Sequence, residues 1–196
     1  MSNKRLVVAT KNKGKLKEIR EILSGFEIIG TDELNVVCDT VEDGVSFLEN
    51  AHKKAYELMQ LTGGPVLADD SGLEVDALGG QPGVFSARFA GEHATDGENT
   101  AKLLHELENV PQEKRGARFV CVMCLVYPDG TKIASRGECS GSILPEARGE
   151  NGFGYDPVFY VEQYGKTFAE LSPEEKNAIS HRRLALEELK EYLGLA

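Results

Sequence analysis

The chain has 196 residues, 41% of them hydrophobic and 28% charged, and a formal net charge of -10. This balance excludes an intrinsically disordered chain and suits one large domain or two small lobes with a packed core. The acidic surface repels nucleic-acid backbones and anionic membranes, so any phosphate site must be a local cationic patch or carry a metal.

Met1-Ser2-Asn3-Lys4-Arg5 leads directly into Leu6–Ala9, a short apolar run that reads as a buried strand. A run this short makes neither a signal-peptide core nor a membrane span, so a cytoplasmic protein is expected. Thr10-Lys11-Asn12-Lys13-Gly14-Lys15 follows. Leu16, Ile19, Ile22 and Leu23 then recur at helical spacing, with Gly25 as the stop. Amides at a helix N-terminus bind phosphate, Thr10 and Asn12 add neutral donors, and the lysines oppose the helix dipole unless an anion is bound. The loop is not a Walker A motif, and a solvated basic first turn is the plainer alternative.

Phe26–Ile29 and Leu34–Cys38 read as further strands, and Glu42 and Asp43 sit in an acidic loop. Ser46-Phe47-Leu48-Glu49 is a capping box opening a helix to about Leu61, with Leu48, Ala51, Ala55 and Leu58 as its buried stripe. Pro65–Ala68 reads as a buried strand ending in Asp69 and Asp70, followed by a Ser71-Gly72 turn. Side chains alternate along a strand, so the two carboxylates point to opposite sides; one can face a crevice while the other braces the scaffold. A carboxylate at the end of a strand in an α/β protein is a natural Mg²⁺ ligand and a natural base, although Asp-Ser-Gly is also ordinary turn chemistry.

Gly79-Gly80-Gln81-Pro82-Gly83 is a glycine-dense connection. Thr95-Asp96-Gly97-Glu98 is a second capping box, with Leu103, Leu104 and Leu107 on one face of its helix. Gly116–Tyr127, a Pro128-Asp129-Gly130 turn and Thr131–Cys139 make a β-hairpin. Cys121 and Cys124 match C-x-x-C, but an offset of three in a strand puts the sulfurs on opposite faces, so all four cysteines are read as reduced core residues. Asn151-Gly152-Phe153-Gly154-Tyr155-Asp156-Pro157 places an aromatic between two glycines, which suits a ring that stacks on a base or a tight turn before the strand Pro157–Val161. Ser172-Pro173-Glu174-Glu175 starts a last helical region that runs to about Leu193 with a break near Ile179-Ser180; it carries Lys176, His181 and Arg182, which are cationic donors or a solvated face. The expected fold is α/β: a mixed sheet in one body, with a second lobe near the hairpin.

Each signal is modest alone, but their order is specific. Thr10-x-Asn12-x-x-Lys15, Phe47-x-Glu49-Asn50-Ala51 with Lys54, Ala68-Asp69-Asp70-Ser71-Gly72, Leu78-Gly79-Gly80-x-Pro82-Gly83 with Ser86-Ala87-Arg88-Phe89, Gly152-Phe153-Gly154-Tyr155-Asp156-Pro157 and Lys176-x-x-Ile179-Ser180-His181-Arg182 follow one another. The chain closely resembles the inosine triphosphate pyrophosphatase family, the bacterial dITP/XTP pyrophosphatases, from Leu6 to about Leu193. The resemblance implies hydrolysis of ITP, dITP and XTP to the monophosphate and pyrophosphate with Mg²⁺, which removes deaminated purines from the nucleotide pool. It implies an elongated mixed sheet with helices on both sides and two lobes around a central nucleotide-binding cleft. The whole chain, 1–196, would be a single domain of that kind, and the protein a homodimer that binds neither nucleic acid nor membrane.

By motif, Asp70 matches the general base and a metal ligand, and Thr10, Lys11, Asn12, Lys13, Gly14 and Lys15 match the triphosphate loop. Lys54, Ser71 and Lys176 match substrate contacts. Phe153, Gly154, Tyr155 and Asp156 match the base pocket, as do His181 and Arg182. Thr40-Val41-Glu42-Asp43-Gly44 departs from the two successive acids, small residue and glycine usual at this point, and Glu42 is its best match for a metal ligand. The rival readings are a Maf-type pyrophosphatase acting on pyrimidine or modified nucleotides, which would lack the Gly-Phe-Gly-Tyr-Asp and Ser-His-Arg motifs, and a non-catalytic nucleotide- or RNA-binding protein.

Overall fold

The structure is a computed structural model that describes residues 4–34, 36 and 38–193. Seven strands form one mixed sheet in the order β2-β1-β3-β4-β5-β6-β7: β1 (Lys4–Val8), β2 (Phe26–Gly30), β3 (Val66–Val75), β4 (Gly116–Val126), β5 (Lys132–Ile143), β6 (Phe159–Val161) and β7 (Lys166–Thr167). The helices are α1 (Lys13–Ile22), α2 (Phe47–Thr62), α3 (Asp96–Glu106), α4 (Pro173–Ile179) and α5 (His181–Tyr192). The α/β class expected from the sequence is therefore the observed one.

The chain divides into two compact units. The first comprises 1–70, 121–137 and 181–196, and the second 71–120 and 138–180. In the first unit β1 pairs in parallel with β2 and with β3, and the last β1–β3 pair is Val8 with Leu67. Helices cover both faces of this part of the sheet. Leu6, Val8, Leu67, Cys121, Met123 and Leu125 pack with Ile19 of α1 and Ala185, Leu186 and Leu189 of α5. Val66, Ala68, Cys124 and Val126 pack with Ala51, Ala55, Leu58 and Met59 of α2. This two-sided burial explains the unbroken apolar run of β4, because a strand covered on both faces has no polar side to present. It also puts Cys121 and Cys124 in different cores, as their spacing requires, and burial pushes the Cys124 thiol up to about 11.

The core of the second unit has Leu103 of α3, and Leu107 just past its end, packed among Leu73, Val75, Ile143 and a trio of aromatics. Phe119, Phe159 and Phe168 form the trio, with ring centroids 4.6 to 5.5 Å apart. Here β5 pairs antiparallel with β6, and β6 with β7.

Four local expectations are corrected. Ser71-Gly72 is not a turn, because β3 runs through it to Val75. Leu34, Val36 and Cys38 lie in irregular backbone, and Asn35 and Val37 fall outside the described residues. These three side chains pack on the α2 core. The buried face of α2 is Phe47, Asn50, Ala51, Ala55, Leu58 and Met59, while Leu48 is exposed. Ser46 caps α2 by accepting from the Glu49 amide, but Glu49 reaches back to the Val45 amide instead of closing a box on Ser46. Both later caps are reciprocal boxes, at Thr95 and at Ser172, and the last helical region does break at Ser180.

Candidate active site

The site of the first unit is built where β1 ends. The Ala9 amide donates to the Leu67 carbonyl at 2.8 Å, and β3 continues past its neighbour carrying Asp69 and Asp70. Strand alternation separates their environments. Asp69 follows Leu67 onto the α1/α5 face, and Asp70 follows Ala68 onto the α2 face.

Asp69 is 1% exposed. Its Oδ2 lies 2.9 Å from Lys15 Nζ of α1 and 3.6 Å from Arg182 Nη2 of α5. Arg182, also 1% exposed, is paired in turn with Glu18, which sits one helical turn beyond Lys15. Burial alone would raise the Asp69 pKa, but Lys15, Arg182 and Lys54 outweigh it and hold the carboxylate ionised, well below the usual range. This quartet braces β3 against two helices, the scaffold role expected for one of the two acids.

Asp70 faces a different set of groups. Its Oδ2 accepts from Asn50 Nδ2 at 3.0 Å, and its Oδ1 lies 3.5 Å from Lys54 Nζ. The same ammonium stands 3.2 Å from Glu42 Oε2. Burial pushes the Asp70 carboxyl up to about 6; the Glu42 carboxylate adds to this, and Lys54, Lys15 and Asn50 oppose it. Burial works against the Lys54 ammonium, but Asp70, Asp69 and Glu42 more than offset it and raise its pKa. Asp70 is thus a carboxylate poised near neutrality, the condition for a general base.

Of the two acids in the loop, the fold brings Glu42 to Asp70 and turns Asp43 onto Lys53 at 2.7 Å. Asn50 makes this geometry, since its Oδ1 accepts from the Gly44 amide at 2.8 Å while its Nδ2 holds Asp70. A Cβ on Gly44 would lie 2.6 Å from that Oδ1, so glycine is required for so close an approach. Asn50 lies within the Phe47-x-Glu49-Asn50-Ala51 motif, but its part in the site emerges only from the fold. The available signal was a polar residue on the apolar face of α2.

The Thr10–Lys15 loop caps α1. Asn12 Oδ1 accepts from the Lys15 amide, and Thr10 Oγ1 accepts from the Asn12 amide. Lys13 and Gly14 occupy the first turn; Lys15 is drawn onto Asp69 and Lys11 onto exposed Asp39 at 2.8 Å. The loop therefore joins the Asp69 brace, and its local basic charge is partly balanced by these two aspartates. His181 and Arg182, at the start of α5, are buried, which removes the solvated-face reading for them.

A second cluster belongs to the second unit, which also contains Ser71, half-buried in β3. Lys176 Nζ lies 2.7 Å from Asp156 Oδ2 and stands over the Phe153 ring at 4.9 Å and the Phe168 ring at 5.4 Å. Asp156 Oδ2 also accepts from the Phe153 amide at 2.9 Å. Gly152 has φ +81°, and a Cβ there would lie 2.0 Å from this same carboxylate oxygen. Tyr155 is buried, and its hydroxyl donates to the Ser86 carbonyl at 2.8 Å. The lysine is thus a buried cation on an acid with an aromatic face beneath it, and it too is no solvated helix residue.

Among the described residues no group of three or more His, Cys, Asp and Glu side chains could hold a metal, and no helix is long and apolar enough to cross a membrane. The Glu42–Asp70 pair nevertheless fits a hard divalent cation. Mg²⁺ commonly takes one or two carboxylates and completes its shell with substrate phosphates and water, and two carboxylates already share one cation here.

Comparison with known proteins gives a consistent result. Residues 6–192 match the model of the Ham1 family. A dITP/XTP pyrophosphatase of Desulforamulus reducens is 53% identical over 97% of this chain and 96% of its own. One of Geobacter sulfurreducens is 54% identical, with the same coverage. The structure of a HAM1 protein from Coxiella burnetii superposes with a TM-score of 0.89 at 46% identity, covering 98% of this chain and 100% of that one.

Proposed function

Because the chain belongs to the Ham1 family, we propose that it works as a dITP/XTP pyrophosphatase through the Asp70 site. It is a hydrolase that cleaves non-standard purine nucleoside triphosphates to the monophosphate and pyrophosphate, and so keeps deaminated purines out of the nucleotide pool. The observation that carries the catalytic reading is the Asp70 carboxylate, raised to about 6 beside Lys54 and Glu42.

Asp70 accepts the proton of the water that attacks the α-phosphorus. Lys54 and Lys15 are the cations that stabilise negative charge on the phosphates, and the first turn of α1, with Thr10, Lys11, Asn12, Lys13 and Gly14, offers amide, hydroxyl and ammonium donors to the triphosphate. Glu42 and Asp70 would hold Mg²⁺, which supplies charge neutralisation and orientation of the phosphate oxygens. Asn50 keeps Asp70 and the Glu42 loop in register. In the second unit the Phe153 face, with Gly154 and Tyr155 in its turn, recognises the purine together with Lys176 and Asp156; Ser71 adds a substrate contact. His181 or Arg182 supplies the donor that favours a 6-oxo over a 6-amino purine, since a donor left unpaired by adenine is costly. The protein acts in the cytoplasm as a homodimer of single-domain chains and binds neither nucleic acid nor membrane, in keeping with its net charge of -10.

The test is pyrophosphate release from ITP, XTP, dITP, ATP, GTP and dTTP, with and without Mg²⁺. The expected result is Mg²⁺-dependent turnover of the first three with weak use of the others. A folded, magnesium-loaded protein that leaves ITP intact overturns this function.

A further inference from the structure

Asp96 plays no part in the chemistry above, yet its side chain reaches the turn that carries Phe153. It is the first residue of α3, just after the N-cap Thr95. Asp96 Oδ2 accepts from the Gly154 amide at 2.7 Å. One turn further on the same face, Thr100 Oγ1 donates to the Gly154 carbonyl at 3.4 Å. Both backbone groups of Gly154, which adopts φ +62°, are thus held by one helix. Between these two contacts, Asn99 donates to the Ala87 carbonyl and accepts from the Ala90 amide. That segment directly follows Ser86, whose carbonyl holds the Tyr155 hydroxyl.

Phe153 therefore lies between two carboxylates that grip adjacent amides: Asp156 on its own N–H and Asp96 on that of Gly154. Asp156 is committed to Lys176 as well. Asp96 has no such second duty in the cluster and is exposed to solvent. The attitude of the Phe153 ring against Lys176 depends on where the Gly154 peptide is fixed, and α3 fixes it.

We propose that Asp96 is a positioning residue for purine recognition, which sets the Phe153 ring through the Gly154 amide without touching the nucleotide. This rests on reading the Phe153–Lys176 cluster as the base-recognition element. A carboxylate bond to a backbone amide is a charge-assisted one, and its loss should free the turn but leave the phosphate chemistry of Asp70 unchanged.

The experiment compares Asp96→Ala, Asp96→Asn and Thr100→Val with wild type. The readouts are steady-state kinetics on ITP and ATP, calorimetric binding of inosine monophosphate without metal, and thermal melting. Asp96→Ala should raise the KM for ITP and weaken monophosphate binding by roughly tenfold, the worth of one charge-assisted bond, with kcat within about threefold. The preference for ITP over ATP should fall in parallel. Asp96→Asn retains an acceptor oxygen and should restore most of the affinity, while Thr100→Val should weaken binding in the same direction through Gly154.

Inosine monophosphate affinity within twofold of wild type in Asp96→Ala overturns the proposal. So does a fall in kcat with unchanged KM, or a loss in Asp96→Asn as large as in Asp96→Ala. Should Asp96→Ala not fold, unchanged affinity in Thr100→Val overturns it equally. A wild-type protein that binds the monophosphate but does not hydrolyse ITP refutes the enzymatic reading while the binding comparison still decides the role of Asp96; one that binds no monophosphate refutes both.

Discussion

The Lys54 ammonium stands 3.5 Å from the Asp70 carboxylate and, with its other side, 3.2 Å from that of Glu42. One cation thus holds two acids that would otherwise repel each other, Asp70 buried and Glu42 half-exposed. This arrangement is suited to exchange, because a divalent ion and a phosphate can take over the charge balance that Lys54 maintains alone.

Asp70→Asn keeps the shape of the side chain and an oxygen able to accept from Asn50, but it cannot take a proton. Turnover of ITP should fall by at least about 10³-fold, the scale expected when a general base is lost. Circular dichroism should be unchanged. Near-normal activity would show that the base is elsewhere.

The raised pKa of Asp70 has a sign that can be measured. Its folded value is about 6, above the ordinary 3.8, so in between the folded state holds a proton that the unfolded chain has released. The contribution to stability is fully present below the lower value and is lost as pH rises through the upper one. In chelator, Asp70→Asn should therefore gain stability relative to wild type between pH 4 and pH 8, by up to about 2 kcal/mol. Urea melts of the two proteins across that range check it, and a difference that stays flat with pH refutes it. Mg²⁺ favours the carboxylate and should move the acid limb of kcat/KM to lower pH.

Asp69 behaves in the opposite sense. Its pKa is held low, so its contribution is present above the ordinary carboxylate range and is lost only on acidification below it. Asp69→Ala removes the counter-charge of Lys15 and Arg182 and should destabilise the protein by about 3–5 kcal/mol, as expected for breaking a buried ion network. Urea unfolding at neutral pH measures this, and a loss under 1 kcal/mol would mean that the quartet is not a brace.

Glu42→Gln and Asp43→Asn separate the two acids of the loop. The first should raise the Mg²⁺ concentration for half-activity by about tenfold or more. The second removes only an exposed pair with Lys53 and should change activity less than about threefold, because such pairs contribute little. Equal effects in a magnesium titration would reverse the assignment.

The legible parts of this chain were those governed by local rules. The caps at Thr95 and Ser172, the hairpin turn at Asp129-Gly130, the break at Ser180 and the opposite faces of Cys121 and Cys124 all follow from short-range geometry. The opposed directions of Asp69 and Asp70 follow from the same period of two. Burial on both faces of the sheet was less legible. It made Leu34, Val36 and Cys38 look like a strand, and it let β3 run on through Ser71-Gly72, where the local composition signals a turn.

By itself the sequence determined the α/β class, the order of the motifs and the pairing of two adjacent acids on a core strand, because these depend on periodicity and on residue types close together in the chain. Only the tertiary structure decided that Glu42 and not Asp43 meets Asp70, that Lys54 joins them, that Glu18 and Arg182 complete the Asp69 brace, and that Asp96 holds Gly154. The reason is physical. Charges and donors a few ångströms apart set one another's ionisation and position, and those distances are fixed by packing between segments as much as 164 residues apart, which no local pattern records.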